Sequence, residues 1–123
     1  MNKYTKIGAL AAMLSVALGA FGAHILEDHL SEYSLDVYGT GVQYQMFHSV
    51  GILLVALFVD RLPSPKLAAW AANLMLIGIV LFSGSLYALA FSGVKMLGAI
   101  TPLGGVSFIA GWICLALAAR TKR

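Results

Sequence analysis

Apolar positions in this chain fall into four long runs, separated by short stretches that carry nearly all the charge. Neither the alternation of a half-buried strand nor a sustained heptad runs through them. The runs predict spans at about residues 5–26, 41–60, 66–91 and 101–119. Each falls near the roughly 17–25 residues a helix needs to cross a hydrocarbon core about 30 Å thick. The expected fold is all-α: an integral membrane bundle of four transmembrane helices, one domain over residues 1–123.

The segments between the runs carry boundary signals. Leu30-Ser31 followed by Leu35 fits an N-cap serine with a hydrophobic staple. That places a short interfacial helix, or an extension of the second span, before residue 41. Gly39 and Gly41 each cost about 1 kcal/mol inside a helix, and Thr40 with Gln43 has capping-box spacing. The chain therefore either breaks at Gly39 and restarts at Thr40, or runs on as one helix from Glu32 to Phe58, bent near the glycines; the reading leans to the latter. Ser64-Pro65 reads as a cap followed by a first-turn proline, Thr101-Pro102 repeats that pattern, and Gly93 reads as a C-terminal stop.

Composition agrees with the membrane reading. Of 123 residues, 60% are hydrophobic and 11% charged, against about 25% charged in a soluble domain. The single cysteine, Cys114, allows no internal disulfide and no cysteine-based metal site. The net charge of +3 matters less than its distribution, and no nucleic-acid-binding pattern accompanies it. Lys3, Lys6, Arg61, Lys66, Arg120, Lys122 and Arg123 fall on one side of a four-span topology, and only Lys95 on the other. The positive-inside rule then puts both termini in the cytoplasm. The acidic first loop, with Glu27, Asp28, Glu32 and Asp36, faces outward. Tyr33, Tyr38 and Tyr44 are expected to anchor at the outer boundary, and Trp70 nearer the inner one.

The first span also has the basic start and apolar middle of a signal peptide. Leu18 and Phe21 spoil the small-residue cleavage pattern, so a retained helix is expected. Gly8, Ala12, Ser15, Gly19 and Gly22 line one stripe of it, and Gly104, Ser107 and Gly111 a stripe of the fourth span. Such stripes admit close helix packing in lipid, although glycine and alanine are also simply frequent in membrane helices.

Polar side chains within the spans supply the candidate chemistry. At about 1.5 Å per residue, His48, Ser83, Tyr87 and Ser107 come to lie roughly 6–12 Å below the outer boundary. Gln45 and Tyr44 fit that layer, and His24 and Gln43 sit nearer the surface. The inner half reads as almost wholly apolar or small. Two readings stay open. Either these groups hydrogen-bond across helices and hold the bundle together, or His48, Gln45, Tyr44, Tyr87, Ser83, His24 and Gln43 form an outward-opening site for a small hydrophobic or lipid-like ligand. No catalytic residue is assigned, and the reading favours a non-enzymatic protein. A histidine-using enzyme or electron-transfer subunit is the alternative. Haem between His24 and His48 would require matching depth, and the two differ by roughly 9 Å. No cofactor and no metal are expected: His24 and His29 share no helical face. An oligomeric facilitative transporter is weaker, because no charged side chain lies deep in a span. The remaining partners expected are the bilayer itself and further copies of the chain.

Four ordered motifs carry a family resemblance: Gly19-Ala20-Phe21-Gly22-Ala23-His24, Thr40-Gly41-Val42-Gln43-Tyr44-Gln45-Met46-Phe47-His48, Leu81-Phe82-Ser83-Gly84-Ser85-Leu86-Tyr87, and Ile100-Thr101-Pro102-Leu103-Gly104-Gly105 with Gly111-Trp112. Over nearly its whole length the chain resembles the bacterial membrane-protein family known as domain of unknown function 423, related to the eukaryotic transmembrane protein 256. The resemblance implies a four-helix protein of the cytoplasmic membrane and brings no activity with it.

Overall fold

The computed structural model describes residues 2–120, and for Asn2 the backbone alone. Met1 lies outside the described residues, as do Lys122 and Arg123, both counted above for orientation.

Four helices are long and apolar enough to cross a membrane. They are α1 (Asn2–His24), α2 (Glu32–Phe58), α3 (Pro65–Ser92) and α4 (Thr101–Ala118). Short 3₁₀ turns at Leu26–Asp28, Val59–Arg61 and Lys95–Ala99 occupy the connections. The start of α1 and the end of α4 lie at one end of the bundle, the terminal end. The α1–α2 and α3–α4 connections lie at the other, the loop end.

The ends of the helices follow from capping chemistry. Ser31 starts α2 by accepting the Ser34 amide at 3.1 Å, and Ser64 accepts that of Leu67 at 3.4 Å ahead of Pro65. Gly93 ends α3 in the left-handed conformation, φ 71°, which only glycine adopts freely. Two signals act differently from their sequence reading. Thr101 is not a cap: it lies inside α4, its Oγ1 2.6 Å from Ser85 Oγ of α3, while Ile100 precedes the helix without a side-chain bond. Thr40, the cap of the broken-helix alternative, donates back to the Asp36 carbonyl at 3.0 Å, and α2 runs on unbroken.

One feature of α3 has no sequence signal. Residues Ile79–Ser83 form a π-helical turn, with the Gly84 amide reaching the Ile79 carbonyl. Its extra residue re-phases the helix. From within it Ser83, and one turn on Tyr87, face α2, while Phe82 meets Gly104 of α4.

Chain neighbours pack on one another. α2 lies between α1 and α3 and α4 packs on α3, while α2 and α4 keep their backbones apart and meet through side chains. The α1 stripe faces α2: Gly8 lies against Leu53, Gly19 against Val42 and Gly22 against the Tyr38 ring. Ala12 accepts the bond of buried Ser15 at 2.7 Å. The α4 stripe faces α3. Gly104 lies so close to the backbone of Phe82 that no side chain fits there. Gly111 approaches Ala71, and Ser107 donates to the Leu74 carbonyl at 2.6 Å.

A core of Ile52, Val55, Met75, Ile79 and Phe108 fills the middle, and a smaller cluster around Leu26, Tyr38 and Ala90 closes the loop end. Leu10, Met13 and Val16 of α1 and Leu103, Val106 and Ile113 of α4 are exposed outward. Such a surface would be a liability in water and is the ordinary one in hydrocarbon.

Two expectations about depth need correction. Tyr38 is not a boundary anchor: it is 3% exposed and donates to the Leu18 carbonyl of α1 at 2.5 Å. The half nearer the termini, read as almost wholly apolar or small, also carries a buried polar tie: Tyr4 donates to Asn73 Oδ1 at 3.0 Å, joining α1 to α3.

Candidate functional site

Gln45 projects from the middle of α2 and is 5% exposed. Its amide nitrogen donates to the Ala11 carbonyl of α1 at 2.9 Å, and its oxygen accepts from the Tyr87 hydroxyl of α3 at 2.6 Å. One side chain thus joins three helices, using the opposite polarity of its two ends. Ser83, one turn before Tyr87, donates to the Gly41 carbonyl at 2.6 Å. The Tyr87 ring lies directly over Gly41, where a methyl group would displace it.

His48 lies one turn from Gln45 and faces α4 instead. Its ring stacks on Phe108, centroids 3.5 Å apart and planes 10° from parallel. Nδ1 is 2.8 Å from the Tyr44 carbonyl, and Nε2 receives the indole Nε1–H of Trp112 at 3.0 Å. A carbonyl can only accept and an indole can only donate. The ring is therefore neutral, with its proton on Nδ1 and its Nε2 lone pair on Trp112. Both nitrogens are engaged. No free nitrogen remains for axial haem ligation in this arrangement, and His24 is exposed at the far turn of α1. Among the described residues no three His, Cys, Asp or Glu side chains gather to hold a metal ion. Among them, too, every buried side-chain nitrogen and oxygen has a hydrogen-bond partner.

Because α2 and α4 stand apart on α3, a cavity of about 600 Å³ opens between them. Tyr44, Phe47 and His48 form one wall, Phe108, Ile109 and Trp112 the other, and Phe82 the floor, with Gln43 and Gly105 toward the loop end. A second cavity of about 420 Å³, between α1 and α2, is lined by Gly19, Gly22, Tyr38 and Gln43 among others.

The residues singled out from sequence thus divide. Gln45, Tyr87 and Ser83 form the interhelical network, Tyr44, His48 and Gln43 line the larger cavity, and His24 lines neither. Sequence reasoning missed Trp112, Phe108, Phe82 and Phe47. For Trp112 a signal existed, since an indole N–H buried in a membrane protein seeks an acceptor, and His48 was at hand.

The family described as "Protein of unknown function (DUF423)" matches residues 18–105. The chain belongs to this family. Among its relatives are the UPF0382 membrane protein YwdK of Bacillus subtilis, 50% identical over 97% of both chains, and a UPF0382 membrane protein of Haemophilus influenzae, 49% identical over 94% of this chain and 91% of that one. The UPF0382 inner membrane protein YgdD of Escherichia coli is 42% identical over 94% of this chain and 88% of its own. No solved structure gives a significant match. With four spanning helices and relatives named for the membrane, this DUF423 chain is an integral membrane protein.

Proposed function

We propose that this DUF423 protein is a non-enzymatic binding protein of the bacterial cytoplasmic membrane, and that a hydrophobic, lipid-like molecule enters the cavity between α2 and α4 sideways from the bilayer. The observation that carries this reading is the cavity's wall. Its about 600 Å³ falls within the usual size of small-molecule sites, roughly 300–1,000 Å³. Apart from Gln43 and Gly105 its lining is aromatic and aliphatic, and its buried polar atoms are already paired. A charged head group would find no counter-charge on these walls, whereas a hydrocarbon body would.

The network around Gln45 supports the same reading from behind, because it ties α2 to α1 and α3 and makes no bond to α4. Support for a redox role is lacking, since both nitrogens of His48 are engaged.

Filling the cavity tests the reading. Ile109 is 62% exposed at its rim, so Ile109→Trp leaves the helix contacts intact. The wild-type protein in detergent should show a concentration-dependent rise in thermal midpoint with at least one compound of a hydrophobic-ligand panel, and Ile109→Trp should abolish it. Equal shifts in both proteins would mean that the ligand binds elsewhere.

A further inference from the structure

Resting on that cavity reading, we infer that its ligand is an uncharged hydroxyl compound, a hydrophobic phenol or alcohol whose O–H inserts between Trp112 and His48. The inference comes from the polarity of the two groups. Tyr44 holds the His48 proton on Nδ1, so Nε2 is the acceptor of a side chain that lines the cavity. The Trp112 indole faces the same cavity as a donor. Together they present one donor and one acceptor 3.0 Å apart on opposite walls.

A ligand that parts them must replace both halves of the bond, or leave His48, 3% exposed, with an unpaired acceptor. A carbonyl or ether oxygen satisfies the indole and abandons the imidazole. An amine offered as a cation has no acceptor role. A hydroxyl does both at one atom, accepting from Nε1–H and donating to Nε2. The Phe108 and Phe47 rings beside the pair favour an aromatic or alicyclic body next to that hydroxyl.

The pair is also placed to open. Among the described residues it is the one side-chain hydrogen bond from α2 to α4. Trp112 is half-buried, and its neighbours Ile109 and Ile113 face outward. Parting the pair moves the indole off Gly51, against which it packs, and leaves the Gln45 network untouched.

The test uses three matched probes, 4-hexylphenol, 4-hexylanisole and hexylbenzene, at equal concentration in the micelle. Binding is read from the concentration dependence of the thermal midpoint of the full chain. The phenol should bind about tenfold tighter than the methyl ether, and the ether no better than the hydrocarbon by more than a few-fold. In His48→Phe the preference for phenol over ether should disappear. In Trp112→Phe it should persist, because Nε2 then awaits a donor with nothing to displace. Equal binding of phenol and ether to wild type would overturn the hydroxyl inference and leave the cavity reading standing. No binding by any probe would overturn both. A phenol preference unchanged in His48→Phe, or lost in Trp112→Phe, would also overturn the assignment to this pair.

Discussion

His48 shows how a polar residue inside an apolar run announces itself and still conceals its role. Its position before Ser49-Val50-Gly51-Ile52 demanded a partner, and that much was legible. Which partner was not, because helical depth says nothing about rotation. The partner came from Trp112, a residue sequence reading had left within a family motif. Gln45 and Tyr87, by contrast, stand at similar depth in the sequence count and do meet, 2.6 Å apart. A double-mutant cycle isolates the His48–Trp112 bond. Each single change, Trp112→Phe or His48→Phe, leaves one buried group unpaired and should lower stability in detergent by about 1 kcal/mol. The double variant should be less unstable than the sum of the two, since neither orphan remains. Strict additivity would show that the bond contributes nothing.

At the scale of elements, the four apolar runs, the Ser31 start and the Gly93 stop were readable because each is local chemistry. The π-turn at Ile79–Ser83 was not, because what re-phases α3 is contact with two neighbours at once. The two glycines of α2 illustrate the same divide. Each costs about 1 kcal/mol in a helix, and α2 forms as the single helix the sequence reading favoured. Gly41 is needed where the Tyr87 ring comes within 2.7 Å of an added Cβ, whereas Gly39 has open space around it. Gly39→Ala should therefore raise stability by about 0.5–1 kcal/mol through helix propensity alone. Gly41→Ala should lower it by about 1–3 kcal/mol as Tyr87 is pushed from Gln45. Thermal unfolding of the two variants checks both signs, and a stabilised Gly41→Ala would contradict the packing described.

In the whole molecule, the exposed faces of α1 and α4 are alike apolar, so composition could not tell lipid-facing surface from site. The distinction comes from the order of packing: α2 and α4 both lean on α3 and leave a gap, and aromatic side chains line it. The Tyr4–Asn73 pair gives the terminal end a polar tie of its own. Photolabelling with a diazirine-bearing hydrophobic probe in vesicles, mapped by peptide mass spectrometry, tests the central claim most directly. Adducts should concentrate on Phe47, Ile109 and Trp112 and fall away in Ile109→Trp. Labelling spread evenly over the outward faces of α1 and α4, unchanged by that substitution, would contradict it.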